Sequence, residues 1–173
     1  AKDPNRRYQS AADLRADRLG DVSSQHVLHA HNDLLRRELG ARGGTEVKSQ
    51  GDGFMLTFTS ARRALNFAIE VQQALARWSG QHPEEQVRIR IGMHTGEALV
   101  SPNGDLFGKH VIVAARIANL ARGGEILVSS LVVEIASNRS DLEFGEGRPV
   151  ELKGIDGSYT VHPLVWRDPS AAP

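Results

Sequence analysis

The periodicities along the chain predict an α+β fold, with helices covering a mostly antiparallel sheet. Three observations predict it. Two stretches alternate with period two. In one, Phe54, Leu56 and Phe58 oppose Met55, Thr57 and Thr59; in the other, Val87, Ile89, Ile91 and Met93 share a face. Between them "SARRALNFAIEVQQALARW" repeats at 3.6, with Ala61, Ala64, Leu65, Ala68, Ile69, Gln72 and Leu75 on one stripe. The chain then closes on short strand-like segments, "LEFG", "PVELKG" and "SYTVHPLV".

Each element has its own signal. "SAADLRADR", residues 10–18, is rich in helix formers and reads as a polar helix capped by Ser10. A second helix runs from Ser23 or Ser24 to Leu39, with Val27, Leu28, His31, Leu34, Leu35 and Leu39 inward and Gly40 as its stop. Asp52-Gly53 supplies hairpin-turn chemistry between strands in residues 46–59. "EALVS" returns as a short strand after Gly96. A loop through Pro102, Asn103 and Gly104 enters a helix near "HVIVAARIANLAR", which Gly123-Gly124 ends. "EILVSS" reads as a buried strand, "SLVVEIAS" as a short helix, and "RDPSAAP" as a loose tail.

A chain of 173 residues suits one domain with a sizeable core. Basic and acidic residues balance at 21 each, so no global field attracts nucleic acid or a membrane surface, and any bound anion must be captured locally. The absence of cysteine excludes disulfides, thiolate zinc sites and cysteine nucleophiles, which fits a reducing, cytoplasmic setting. No apolar run approaches the roughly 18 residues of a membrane helix. The start, without methionine and mid-pattern, reads as a piece of something longer.

Several residues invite a chemical reading beside a plain one. Asp52 is either a turn residue or a metal ligand at a hairpin tip, with Lys48 four residues before it. Arg116, among Val113, Ala114, Ile117 and Leu120, either snorkels to solvent or reaches a phosphate. His26, His29 and His31 suggest a metal cluster, but the helix face offers only two of them together. No P-loop, dinucleotide fingerprint, zinc-protease helix or nucleophile elbow is present.

Taken in order, "RRELGARGGTEVKSQGDGFMLTF", "RIRIGMHTGEA", "GDLFGKHVIVAARIANLARGGEILVS" and "VELKGIDGSYTVHPL" resemble the class III nucleotidyl cyclase catalytic domain, particularly its bacterial adenylyl branch, from about Leu19 to Trp166. The resemblance implies a ferredoxin-like α+β unit working as a head-to-tail homodimer, with ATP as substrate and two Mg2+ or Mn2+ ions in each site. It implies that Asp52 is the second of two metal-binding aspartates and that Lys48 and Asp105 read the adenine edge. Arg116 would stabilise charge on the transferring phosphate, and Lys153 would contact the terminal phosphates. Lys48 and Asp105 argue against guanine, which favours an acidic or small residue there.

Two departures qualify this. The family's first strand and its metal aspartate should precede Leu19, yet residues 1–17, "AKDPNRRYQSAADLRAD", resemble instead the end of a bacterial Ser/Thr protein kinase domain. The expected organisation is a kinase-tail-like or linker segment over 1–18, a cyclase-like domain over 19–166 and a tail over 167–173. Asp17 and Asp21 are the nearest substitutes for the lost aspartate, but both sit in a helical or capping context where the family has no ligand. Ile112 occupies a position where many members carry asparagine or another polar group. An impaired adenylyl cyclase is therefore expected, or else a silent cyclase-homology domain that binds nucleotide, dimerises or regulates a linked kinase. Loss of a strand leaves sheet backbone unpaired, to be filled by the kinase-like segment or a swapped partner strand.

Overall fold

The computed structural model describes residues 10–18, 25–50, 52–138 and 140–167. Seven strands form the main sheet in the order β2-β3-β1-β4-β7-β9-β8. They are β1 (Ser10–Arg18), β2 (Thr45–Gln50), β3 (Gly53–Phe58), β4 (Val87–His94), β7 (Ile126–Ser129), β8 (Arg148–Glu151) and β9 (Ser158–Pro163). Among the described residues only the β4–β7 pairing is parallel. A two-stranded arm, β5 (Leu99–Val100) with β6 (Leu106–Phe107), stands apart. Four helices complete the described fold: α1 (Gln25–Ala41), α2 (Ala61–Gln81), α3 (Lys109–Leu120) and α4 (Ser130–Ala136). The predicted α+β class is the one observed.

The larger core lies between one sheet face and helices α1, α2 and α4. Phe54, Leu56 and Phe58 interlock there with Leu35, Leu65, Phe67, Val71, Ile89, Ile91 and Met93. These residues are essentially solvent-free, as their period-two and period-3.6 spacings require. The other face receives α3, whose Val113 and Ile117 meet Leu127, Leu152 and Val161. A side chain on Gly92 of β4 would strike the backbone of Ala118, so glycine permits the close approach of α3 to the sheet.

The stretch 10–18 departs from its predicted helix. It is strand β1, antiparallel to β3 on one side and β4 on the other, with Ala12 opposite both Leu56 and Met93. Helix propensity is a weak local preference, whereas β3 and β4 each present a row of backbone donors and acceptors that need partners. The expectation that the first strand is lost is therefore corrected: residues 10–18 supply a strand inside the sheet, between β3 and β4. Asp17 accordingly stands on a strand; Asp21 and the 18/19 boundary fall at or beyond the limit of the described residues.

Helix α1 also continues past its predicted stop, through Gly40 to Ala41. Gly43, at φ 67, closes it: its N–H donates to the Gly40 carbonyl and the Gly44 N–H to the Leu39 carbonyl.

Candidate active site

The hairpin of β2 and β3 carries two of the predicted site residues, and an irregularity aims one of them. Glu46 pairs with Leu56, but Lys48 pairs with Met55, because a bulge intervenes. An unbroken register would set Lys48 opposite Phe54, on the core face. The extra residue turns it instead to the face shared by Met55 and Gly92, where α3 lies. Asp52 is half-buried at the tip, as predicted for a turn residue.

Asp105 reaches the same place from the β5–β6 arm. Gly104 (φ 87) makes the turn, its N–H donating to the Ser101 carbonyl at 2.9 Å, and the Ser101 N–H donates to the Asp105 carbonyl at 2.8 Å. One carboxylate oxygen of Asp105 accepts from the Leu106 N–H at 2.9 Å. The other faces Lys48 Nζ at 3.5 Å. Two residues 57 positions apart thus form an acceptor and donor pair on one surface. Both are substantially exposed, so their mutual attraction adds little stability and both remain available to a ligand.

Arg116 lies on α3, half-buried, and its Nε has no hydrogen-bond partner among the described residues. An unpaired buried donor is costly unless a ligand satisfies it. Its neighbour one helical turn back, Ile112, is half exposed and offers no polar atom. Lys153 is exposed in the turn between β8 and β9, apart from the Lys48–Asp105 pair.

The histidines near the N-terminus do not assemble a centre. His26 and His29 are exposed while His31 is buried edge-on against Phe54, and burial lowers its proton affinity. Among the described residues no three His, Cys, Asp or Glu side chains converge as metal ligands. At the hairpin tip the described carboxylate is Asp52. Strand β1 runs beside this hairpin, with Asp13 opposite Met55 and Arg15 opposite Gly53.

Sequence reasoning missed a buried polar chain beside this surface. His94, at the end of β4, has Nδ1 2.8 Å from Ser129 Oγ and Nε2 2.9 Å from His110 Nδ1. Their spacing, 16 and 35 residues, carries no periodic signal.

Residues 17–165 match the Adenylate and Guanylate cyclase catalytic domain family. The chain belongs to that family. Its relatives include Putative adenylate cyclase 3 of Rhizobium meliloti, 34% identical over 170 residues that make up 92% of this chain and 28% of that protein. Another is serine/threonine-protein kinase pkn2 of Myxococcus xanthus, 26% identical over 73% of this chain and 15% of the kinase. The chain thus spans under a third of the length of these curated relatives. Among solved structures, the adenylate/guanylate cyclase/hydrolase from Silicibacter pomeroyi superposes with a TM-score of 0.78 at 30% identity, covering 94% of this chain and 98% of that one. The adenylyl cyclase CyaB from P. aeruginosa superposes at 0.77 with 18% identity, which speaks for the cyclase fold. No helix among the described residues is long and apolar enough to cross a membrane.

Proposed function

We propose that this chain is an adenylyl cyclase domain with impaired turnover, converting ATP to 3′,5′-cyclic AMP and pyrophosphate. In that reaction the ribose 3′-oxygen bonds to the α-phosphorus, the bond from that phosphorus to the bridging oxygen breaks, pyrophosphate leaves, and the hydroxyl proton passes to solvent. The observation that carries the reading is the approach of Lys48 Nζ to Asp105 at 3.5 Å. A donor beside an acceptor matches the acceptor and donor edge of adenine. Arg116, with its unsatisfied Nε, is the group assigned to the phosphate charge, and Lys153 to the terminal phosphates.

Mg2+ or Mn2+ is the metal that the family implies, with Asp52 as its ligand. Impaired turnover is the expectation that goes with assigning one metal aspartate, Asp52, where the family uses two. The working form is a cytoplasmic homodimer in which one protomer supplies Asp52 and its partner the base and phosphate contacts. Exposed apolar side chains support it: Leu99 and Phe107 on the arm and Ile112 on α3 are about half exposed or more.

A specific observation favours a second reading, a silent cyclase-homology domain that regulates a linked kinase. A serine/threonine-protein kinase is among the relatives, matched over 73% of this chain, and residues 1–17 resemble a kinase tail. Cyclic AMP formation from ATP with Mn2+, run beside calorimetric titration of an unreactive ATP analogue, separates the two. Slow turnover abolished by Asp52→Ala supports the enzyme; tight binding of the analogue with no turnover supports the silent domain.

A further inference from the structure

Apart from the residues assigned to the nucleotide, a Ser129–His94–His110 chain crosses three elements. Ser129 closes β7, His94 closes β4, and His110 sits in the first turn of α3. His94 and Ser129 are almost fully buried, at 4% and 2% exposure, and His110 is half-buried. The two rings stack with centroids 5.1 Å apart, and Tyr159 of β9 stands edge-on to His94 at 6.3 Å.

Two local rules are broken to make this chain. Ser129 occupies the N-cap of α4 with extended backbone angles, yet its hydroxyl does not cap that helix and turns to His94 instead. Serine at an N-cap ordinarily satisfies the helix's free N–H groups. Helix α3 likewise starts at Gly108, which has no side chain to cap it, and its first turn is fastened to the sheet through His110. Where residues depart from their local preference, the gain lies elsewhere.

We propose that Ser129, His94 and His110 are positioning residues that set the first turn of α3, and with it Asp105 and Arg116, for the nucleotide. Asp105 precedes His110 by five residues across the β6 strand, and Arg116 follows it by six along one rigid helix. A shift of the helix start therefore moves the base contact and the phosphate contact together, and displacements of about 1 Å at such groups cost about a hundredfold in rate.

The chain also has a defined proton capacity. With both rings neutral, one hydrogen lies between His94 Nε2 and His110 Nδ1, and Ser129 completes the chain as donor or acceptor at His94 Nδ1. One added proton is accommodated with His110 donating to His94 and His94 donating to Ser129. A second sets two N–H groups face to face at 2.9 Å, and the link parts. The charged or titratable groups facing His94 are His110 and Lys109 from α3 and Tyr159 from β9, with neutral Ser129 from β7.

The test uses the whole chain with His110→Ala, His110→Gln and Ser129→Ala. It rests on the cyclase reading for its activity arm, in which His110→Ala lowers kcat about tenfold to a hundredfold, changes KM for ATP less than about threefold, and shifts the acid limb of the kcat profile. His110→Gln, which keeps a hydrogen-bonding group, recovers part of the loss. Nitrogen-15 spectra of the histidine rings and of the amides of Asp105 and Arg116 form an arm that needs no turnover. His94 and both amides titrate together in the native chain, and His110→Ala uncouples them. A chain that turns nothing over but shows this coupling retains the positioning role and sinks the cyclase reading. Unchanged kinetics, or amides indifferent to His94 titration, overturns the positioning role; should His110→Ala not fold, Ser129→Ala is judged by the same criteria.

Discussion

Strands β1 and β4 lie side by side in register over eight residue pairs, from Ala11 opposite His94 to Arg18 opposite Val87, and they owe their conformations to different causes. Strand β4 is specified by its own side chains. Val87, Ile89, Ile91 and Met93 alternate, are β-branched or bulky, and bury completely or nearly so. Strand β1, Ala-rich and charged, has the composition of a helix and is extended because its neighbours supply ladders on both sides. One strand is dictated from within and the other from without. Side-chain changes should therefore govern β4, and backbone changes should govern β1.

The largest expected effect is removal of residues 1–18. Strands β3 and β4 would then face each other across a vacant central position, with two rows of backbone groups unpaired, and cooperative unfolding should be lost along with monodispersity. A truncated chain that unfolds with the native midpoint, followed by circular dichroism in urea, would refute the central placement of β1. Next comes Ile91→Ala, which empties a fully buried site in β4 and should cost about 2–5 kcal/mol in the same assay. Ala12→Pro in β1 should cost about 3 kcal/mol, since Ala12 pairs on both sides and proline takes a donor from a central ladder. Ala12→Ser, which keeps that donor, should cost far less. If the proline is as harmless as the serine, the contrast between the strands fails.

That contrast also explains what was legible in the sequence. Elements whose side chains repeat at their own period, such as β3, β4 and α2, were readable because burial and period agree in Phe54, Leu56, Ile89 and Leu65. Strand β1 was not, because its conformation depends on Leu56 and Met93 opposite it. Lys48, Asp52, Asp105, Arg116 and Lys153 are assigned through ordered motifs, and of these the structure brings Lys48 to Asp105. The bulge that aims Lys48 was not foreseeable, since Glu46-Val47-Lys48 alternates without interruption. The His94 chain was invisible for a similar reason: a histidine ending an apolar strand gives no sign of which loop and helix will close over it.

Acid should sharpen the same distinction, because β4 ends in a buried titratable group. His94 is held at about 4, against an ordinary 6.5, by burial first and then by the charges of His110 and Lys109. The unfolded chain thus takes up a proton between these values that the folded chain refuses. Stability attributable to this residue is complete above about pH 6.5 and declines as the pH falls toward 4, by at most about 3 kcal/mol. In His94→Gln the slope over that window should flatten in urea titrations at successive pH values; an unchanged slope would assign the acid loss to other groups.

The smallest effect should come from the outer hairpin. Arg36 of α1 makes two hydrogen bonds to Glu46 of β2, at 2.9 and 3.1 Å, while lying over the Phe54 ring at 5.3 Å. Glu46 stands before the bulge, on the helix-covered face, whereas Lys48 stands after it on the face of α3, so the ion pair guards the register that separates them. The pair is exposed enough for solvent to screen it, and Arg36→Ala should cost only about 0.5–1 kcal/mol, part of it lost packing on Phe54. Raising salt should erase the ionic share but leave the packing share. The decisive readout is nucleotide analogue binding: if the ion pair helps hold the bulge, Arg36→Ala weakens binding by more than its stability cost alone predicts, and Arg36→Lys, which cannot form the planar two-bond contact, restores only part of it.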